Sequence, residues 1–244
     1  MISLRPVSSD DPALDGSKLL DALYKAMAYA QENDGIGLTP SKAFNRKFCH
    51  WAAENFNWPE YSADYLLRIQ KVLNEHDVAS VMVLHDLLCV MKAGRHIKEK
   101  FQFSKKFLSL AEDRGAMFSK LAQAYLFEYD HARMRRHTEI APSGSWDVFL
   151  NVVNVETHTG ATEGDLLNLL FGLGLEDVHG REFWDYVSFL CWEVLKPLYW
   201  IGFLDESKTG SEGLLEREIY TKTPLWQKCL KLDSDKILKP HVIH

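Results

Sequence analysis

Basic side chains concentrate in one short stretch of this chain. Residues 92–106 contain a single acidic residue, Glu99, beside Lys92, Arg95, His96, Lys98, Lys100, Lys105 and Lys106. Positive groups at this density can neutralise the phosphates of a nucleic-acid backbone. The candidate nucleic-acid contacts are therefore Arg95, Lys98, Lys100, Lys105 and Lys106. The structural alternative is that lysines on an exposed hairpin edge prevent pairing with other chains.

The helix predicted just before this stretch argues against reading of a DNA sequence. Residues 77–91 contain no Lys or Arg, and their polar side chains are Asp77, Ser80, His85 and Asp86. A helix that reads base edges normally offers Arg, Lys, Asn or Gln. The net charge of −6 also fits poorly with a broad grip on nucleic acid. Regulation of transcription through the basic stretch is therefore only an alternative function.

Aromatic side chains mark a second candidate surface. The predicted helix 181–195 is apolar on nearly every face and acidic where it is polar. Such a helix is buried either in the core of its own domain or against a partner, and the pattern leaves both open. The candidate interface residues are Trp184, Tyr186, Trp192, Tyr199 and Trp200. We expect a homodimer, or a complex with another protein, that buries at least one of them.

Catalytic and metal-binding patterns are missing from the sequence. Cys49 and His50 are neighbours on a predicted helix and point apart. The group Glu128, Asp130 and His131 forms neither HExxH nor another spacing that puts metal ligands on one helical face, and the same is true of His85 with Asp86. No CxxC occurs, and neither Ser109 nor Ser188 lies in a nucleophile elbow. We expect no metal, no cofactor and no catalytic residue, and an enzyme without a local signature stays as a further alternative.

Apolar periodicity and capping residues predict a mainly α protein with small β-hairpins. The expected helix N-caps are Ser17, Thr39, Ser62, Ser104, Thr162 and Thr221. Thr162 with Asp165 resembles a capping box in which Asp replaces the usual Glu. Pro40 is expected at a first helical position, and Pro197 is expected to end or kink the helix before it. Residues 146–155 could be helix or strand.

Two stretches follow the same predicted order of helix, helix, hairpin and helix, over residues 62–112 and 162–232. Both resemble winged helix-turn-helix modules, at Lys92-Ala93-Gly94 and at residues 200–204. The resemblance implies two or three winged-helix-like modules. The chain also resembles, more loosely, the helical region of a bacterial family related to a plasmid-borne third open reading frame. The matching positions are Gly37-Leu38-Thr39, Phe103-Ser104 and Tyr220-Thr221. That family implies no activity.

The segment 138–145, which combines Pro, Gly and Ser, is the predicted linker between a region 1–137 and a region 146–244. The basic run 131–137 before it could bind an acidic partner, or it is simply a solvated helix end. No signal peptide or apolar run long enough to span a bilayer is evident, so we expect a cytoplasmic protein without a membrane partner. The expected function is protein interaction or scaffolding.

Overall fold

The structure is a computed structural model that describes residues 2–58, 61–134, 145–210, 213 and 215–238. The chain divides into two compact units, which we describe separately. One unit comprises residues 6–129, and the other comprises residues 1–5 together with residues 130–244. The described residues are mostly helical and carry small antiparallel sheets, which confirms the predicted fold class. The chain begins with strand β1 (Ser3–Leu4), which belongs to the second unit.

Helices make up most of the unit 6–129. They are α1 (Lys18–Glu32), α2 (Arg46–Asn55), α3 (Ala63–Ile69), α4 (Ala79–Val90), α5 (Lys105–Leu110) and α6 (Arg114–Phe127). Its strands are β2 (Ile36–Gly37), β3 (Gly94–Ile97) and β4 (Lys100–Phe103). They form an antiparallel sheet in the order β2-β4-β3. The predicted hairpin is thus present, but it gains a strand from residues that the sequence pattern did not connect to it.

Three of the predicted N-caps in this unit are confirmed by hydrogen bonds. The hydroxyl groups of Ser17, Ser62 and Ser104 accept from backbone N–H groups three residues ahead, at 3.2, 3.3 and 3.2 Å. The predicted cap at Thr39 was wrong. Thr39 and Pro40 lie in a loop closed by a hydrogen bond from the Thr39 N–H to the Ala43 carbonyl at 2.8 Å. Helix α2 is capped instead by Asn45, whose side chain accepts from the Phe48 N–H at 3.0 Å.

The second unit repeats the mixture of helices and short strands. Its helices are α7 (Trp146–Glu156), α8 (Glu163–Phe171), α9 (Arg181–Phe189), α10 (Lys196–Ile201) and α11 (Pro224–Cys229). Its remaining strands are β5 (Ala161–Thr162), β6 (Leu204–Lys208), β7 (Glu218–Lys222) and β8 (Leu230–Lys231). One sheet has the order β5-β7-β6, and β1 pairs with β8. Residues 146–155, left open by their periodicity, are therefore helical.

One predicted helix cap in the second unit was wrong, and of the two outcomes expected at Pro197, the ending of the helix does not occur. Thr221 lies within β7 opposite Asp205, and the cap of α11 is Thr223, whose hydroxyl accepts from the Trp226 N–H at 3.3 Å. Pro197 does not end its helix, which runs from α9 through a π-helical segment, Leu190–Leu195, into α10. A proline ring clashes with the carbonyl four residues earlier in a regular α-helix, and the wider π turn relieves that contact.

The same topology occurs in both units. Each has a helix, a short strand, further helices and then a hairpin, and each sheet places the last strand between the other two. The capping box of Thr162 with Asp165 begins α8 as predicted. Most of the predicted linker, residues 138–144, and the end of the basic run, residues 135–137, lie outside the described residues. Among the helices that are described, none is both long and apolar enough to cross a membrane.

Candidate functional site

The basic residues 92–106 surround the hairpin β3–β4, which we call the basic hairpin. Arg95 and Lys98 are exposed on it, and Lys105 and Lys106 are exposed in the first turn of α5. Lys100 is engaged within the unit, because its ammonium donates to the Asn33 carbonyl at 3.0 Å and to the Asp34 carboxylate at 3.1 Å. Four of the five predicted contacts therefore present their charge to solvent.

Helix α4, which precedes the basic hairpin, is almost completely buried. Ser80 and His85, two of the polar residues noted in the sequence, are only 1% and 8% exposed. Cys89 is the exposed residue of this helix, and α4 carries no cationic side chain. The part of α4 that reaches solvent therefore offers no cationic or amide side chain to a nucleic acid.

His85 is held by a carboxylate and by an aromatic ring. Its Nδ1 lies 2.7 Å from Oε2 of Glu75, and the same oxygen accepts from the Phe44 N–H at 2.5 Å. The Phe44 ring stacks on the imidazole with ring centroids 4.0 Å apart. Because an ionised carboxylate can only accept, the Nδ1 of His85 must carry a proton. In the neutral ring, Nε2 then offers a lone pair on the opposite side.

Two further potential metal ligands face that lone pair. His96 lies on β3 with its Nε2 3.4 Å from the Nε2 of His85. Cys89 follows His85 by one helical turn, and the ligand atoms of His85, Cys89 and His96 all lie within 4.8 Å of one another. Burial and the nearby charges of His85 and Lys42 lower the pKa of His96, which favours its neutral form. These residues could hold a metal ion.

The sequence analysis missed this group. It considered His85 only with Asp86, whereas His85 and Cys89 are four residues apart on α4 and share a helical face. The spacing of His85 and Cys89 could have been recognised in the sequence. The contribution of His96 could not be predicted, because it depends on how the hairpin folds back beside the helix.

An open cleft of about 600 Å³ is lined in part by Glu75, the residue that contacts His85. Its walls come from the loop 39–47, which ends in the first turn of α2, and from Asn74, Glu75 and His76. Glu75 therefore borders the cleft and contacts His85. A separate open groove of about 540 Å³ is lined by Met27, Ala30, Gln31, Asp34, Gly35, Gln102, Phe103 and Leu108.

The aromatic residues proposed as an interface in the second unit separate into two groups. Trp200 is 1% exposed and Tyr199 is buried, so the structure assigns both to the core, and their prediction as interface residues was wrong. Tyr186 and Trp192 are half-buried. Trp184 is 45% exposed, and its indole N–H donates to the Val178 carbonyl at 3.0 Å. Sequence periodicity could not separate these groups because the whole segment is apolar.

A partly buried polar cluster in the second unit is joined by hydrogen bonds to one carboxylate. Cys191 donates to the carboxylate of Glu163 at 3.2 Å, and the hydroxyl of Tyr220 donates to the same oxygen at 3.2 Å. Burial, reinforced by the Glu163 charge, raises the pKa of the Cys191 thiol and of the Tyr220 hydroxyl. Because only a thiolate is a good nucleophile, Cys191 is suited to hydrogen bonding within the core.

Comparisons with known proteins identify the family. Residues 15–116 match the model of the Y4jL N-terminal domain, and residues 135–224 match that of the y4jL C-terminal domain. A curated relative from Sinorhizobium fredii (strain NBRC 101917 / NGR234), named "Uncharacterized protein y4jL", is 36% identical over 155 residues, covering 64% of this chain and 70% of the relative. The chain belongs to the Y4jL family. The name of this Y4jL relative states no activity, and no solved structure gives a match.

Proposed function

We propose that this chain is a protein-interaction module that uses the winged-helix architecture twice and lacks a DNA-reading surface. The topology that the two units share supports the architecture. In each unit a short strand is followed by helices and then by a hairpin, and the last strand of the hairpin lies in the middle of the sheet. In this architecture the helix before the hairpin occupies the position of a recognition helix. In the first unit that helix is α4.

The burial of α4 is the observation that carries the proposal. A recognition helix has to present side chains to base edges, whereas α4 presents only Cys89 as an exposed residue. The corresponding helix of the second unit, from α9 into α10, is also largely buried, and its Asp185 is a buried acid. Helix α4 has no exposed cationic or amide side chain for direct readout, and the helix from α9 into α10 has a single one, Arg181, at its first position.

Trp184 supplies the proposed contact with a partner. An exposed tryptophan is unusual on a monomer surface and is among the residues that contribute most at protein interfaces. The indole is anchored to the turn 175–178, and Leu175 in that turn is 52% exposed. We call Trp184 and Leu175 the Trp184 surface. The proposed occupant of this surface is a second copy of the chain, so that the function is binding rather than catalysis.

Sedimentation velocity over a range of concentrations tests this association. The wild-type chain, with a mass of 28.0 kDa, should sediment as a dimer. Trp184→Ala should raise the dissociation constant about 30-fold or more, because an interface tryptophan contributes about 2 kcal/mol or more. Tyr65→Ala is the matched control, since Tyr65 is an aromatic residue of the other unit that is 52% exposed. A wild-type chain that stays monomeric at every concentration would contradict the proposed homodimer.

Weak, sequence-independent binding to nucleic acid is the second candidate function. The exposed charges of Arg95, Lys98, Lys105 and Lys106 favour it.

We place the module in the cytoplasm, a proposal supported by the absence of disulfides among the four cysteines.

A further inference from the structure

We infer that His85, Cys89 and His96 form a binding site for a divalent transition metal, with Zn²⁺ as the expected ion. The inference does not depend on the proposed dimer, because all three residues belong to the unit 6–129 and Trp184 belongs to the other unit. It rests on the distances between the ligand atoms, on the support of His85 and on the chemistry of the three side chains.

The separation of the two imidazoles fits coordination to one ion. The Nε2 atoms of His85 and His96 are 3.4 Å apart. Two nitrogens bound tetrahedrally to zinc at about 2.0–2.1 Å are about 3.4 Å from each other. A direct hydrogen bond would normally be shorter, at about 2.9–3.0 Å. The observed separation therefore suits a shared metal better than a hydrogen bond.

Glu75 prepares His85 to act as a ligand. In many metal sites a carboxylate accepts from the imidazole nitrogen that does not bind the metal, which fixes the tautomer and orients the ring. Glu75 makes this contact at Nδ1, at 2.7 Å, while the Phe44 ring stacks on the imidazole. The lone pair of His85 Nε2 is thus directed towards His96 without any further rearrangement.

The ligand types and their exposure favour zinc. Two imidazoles and a thiolate are common donors to Zn²⁺, and a site with three protein ligands leaves a fourth position for water. Cys89 and His96 are exposed, so an ion can reach the site from solvent. On binding, the metal bonds to two nitrogens and one sulfur, and the thiol proton of Cys89 passes to solvent. The ion would then link α4 directly to strand β3.

Titration of the full chain with zinc chloride, after removal of metal by dialysis against a chelator, tests the site. In competition with a chromophoric chelator, the wild-type chain should bind one equivalent of Zn²⁺. Cys89→Ser and His96→Ala should each abolish stoichiometric binding. Glu75→Gln should keep the stoichiometry but weaken the affinity about 10- to 100-fold, as expected for a residue that orients a ligand. Cobalt chloride should produce a thiolate-to-cobalt charge-transfer band that Cys89→Ser lacks.

His76→Ala and Cys191→Ser are the matched controls. The His76 side chain is 77% exposed and lies beside Glu75, and Cys191 is a thiol of the other unit. Both variants should bind zinc like the wild-type chain. Cys89 and His96 are exposed, so their variants should fold, which far-ultraviolet circular dichroism checks directly. Failure of the wild-type chain to bind zinc, or equal binding by wild type, Cys89→Ser and His96→Ala, would overturn the assignment.

Discussion

Glu75 and His85 form a contact of 2.7 Å between a carboxylate oxygen and Nδ1 of a buried imidazole, which joins the short turn 75–77 to helix α4. The same oxygen also accepts from the Phe44 N–H. Glu75→Ala should therefore lower the free energy of unfolding by about 1–3 kcal/mol, because two buried donors lose their acceptor. Glu75→Gln should cost less, since the amide oxygen can still accept. Urea unfolding of both variants measures the difference, and a loss below about 0.5 kcal/mol for Glu75→Ala would show that solvent replaces the carboxylate.

Asp77 should make the stability of the first unit depend on pH. Burial alone would raise the pKa of its carboxyl, but the hydrogen bonds from the backbone and side chain of Asn74 outweigh this and lower the pKa below its ordinary value. Those bonds measure 2.8 and 2.9 Å. A lowered folded-state pKa stabilises the fold above the unfolded pKa of about 3.9, and this contribution is lost as pH falls through the folded value.

Asp77→Asn tests that dependence. The variant should be less stable than the wild type by about 1–2 kcal/mol at neutral pH, because hydrogen bonds to a charged group are replaced by neutral ones. The difference should shrink as the pH is lowered through the pKa of the folded wild-type carboxyl, because protonation then removes the charge that the hydrogen bonds stabilise. Urea unfolding at a series of pH values measures it. A difference that stays constant across the series would exclude ionisation of Asp77 as its source.

The position of the cap on α11 can be tested by comparing Thr223 with Thr221, because both threonines are half-buried. Thr223→Val should cost about 1 kcal/mol or more, because the hydroxyl accepts from the Trp226 N–H and donates to the Gly202 carbonyl. Thr221→Val is the control, since Thr221 lies in β7 and valine suits a strand. Thermal unfolding compares the two variants. Equal losses would mean that the hydroxyl of Thr223 has no special role as a cap.

Local features of the fold were predictable, because their causes lie within a few residues. Ser104 caps α5 through an N–H only three residues away, and the hairpin after α4 has a short turn. The strand Ile36–Gly37 was not placed in a sheet, because its partners Phe101 and Lys100 lie far along the chain. Short strands of this kind have too few residues to show an alternating pattern.

In the candidate metal site, too, some features could be predicted from nearby residues and others depend on residues far apart in the chain. The spacing of His85 and Cys89 could have been recognised, because residues four apart share a helix face. Their proximity to His96 and Glu75 depends on a hairpin and a short turn that bring separate segments together. The sequence also could not predict that Trp184 is exposed and Trp200 is buried, because a helix that is apolar all round does not reveal which of its faces is covered.

We propose that neither unit has a DNA-reading helix, and selection of bound sequences from a random pool of DNA duplexes is the most direct test. At physiological salt, no sequence should be enriched. Weak binding through the four exposed candidate contacts, Arg95 and Lys98 on the basic hairpin and Lys105 and Lys106 in α5, should fall with salt along a logarithmic slope of about −4. Enrichment of one sequence that is bound with nanomolar affinity would contradict the account, since it would require α4 to read bases while buried.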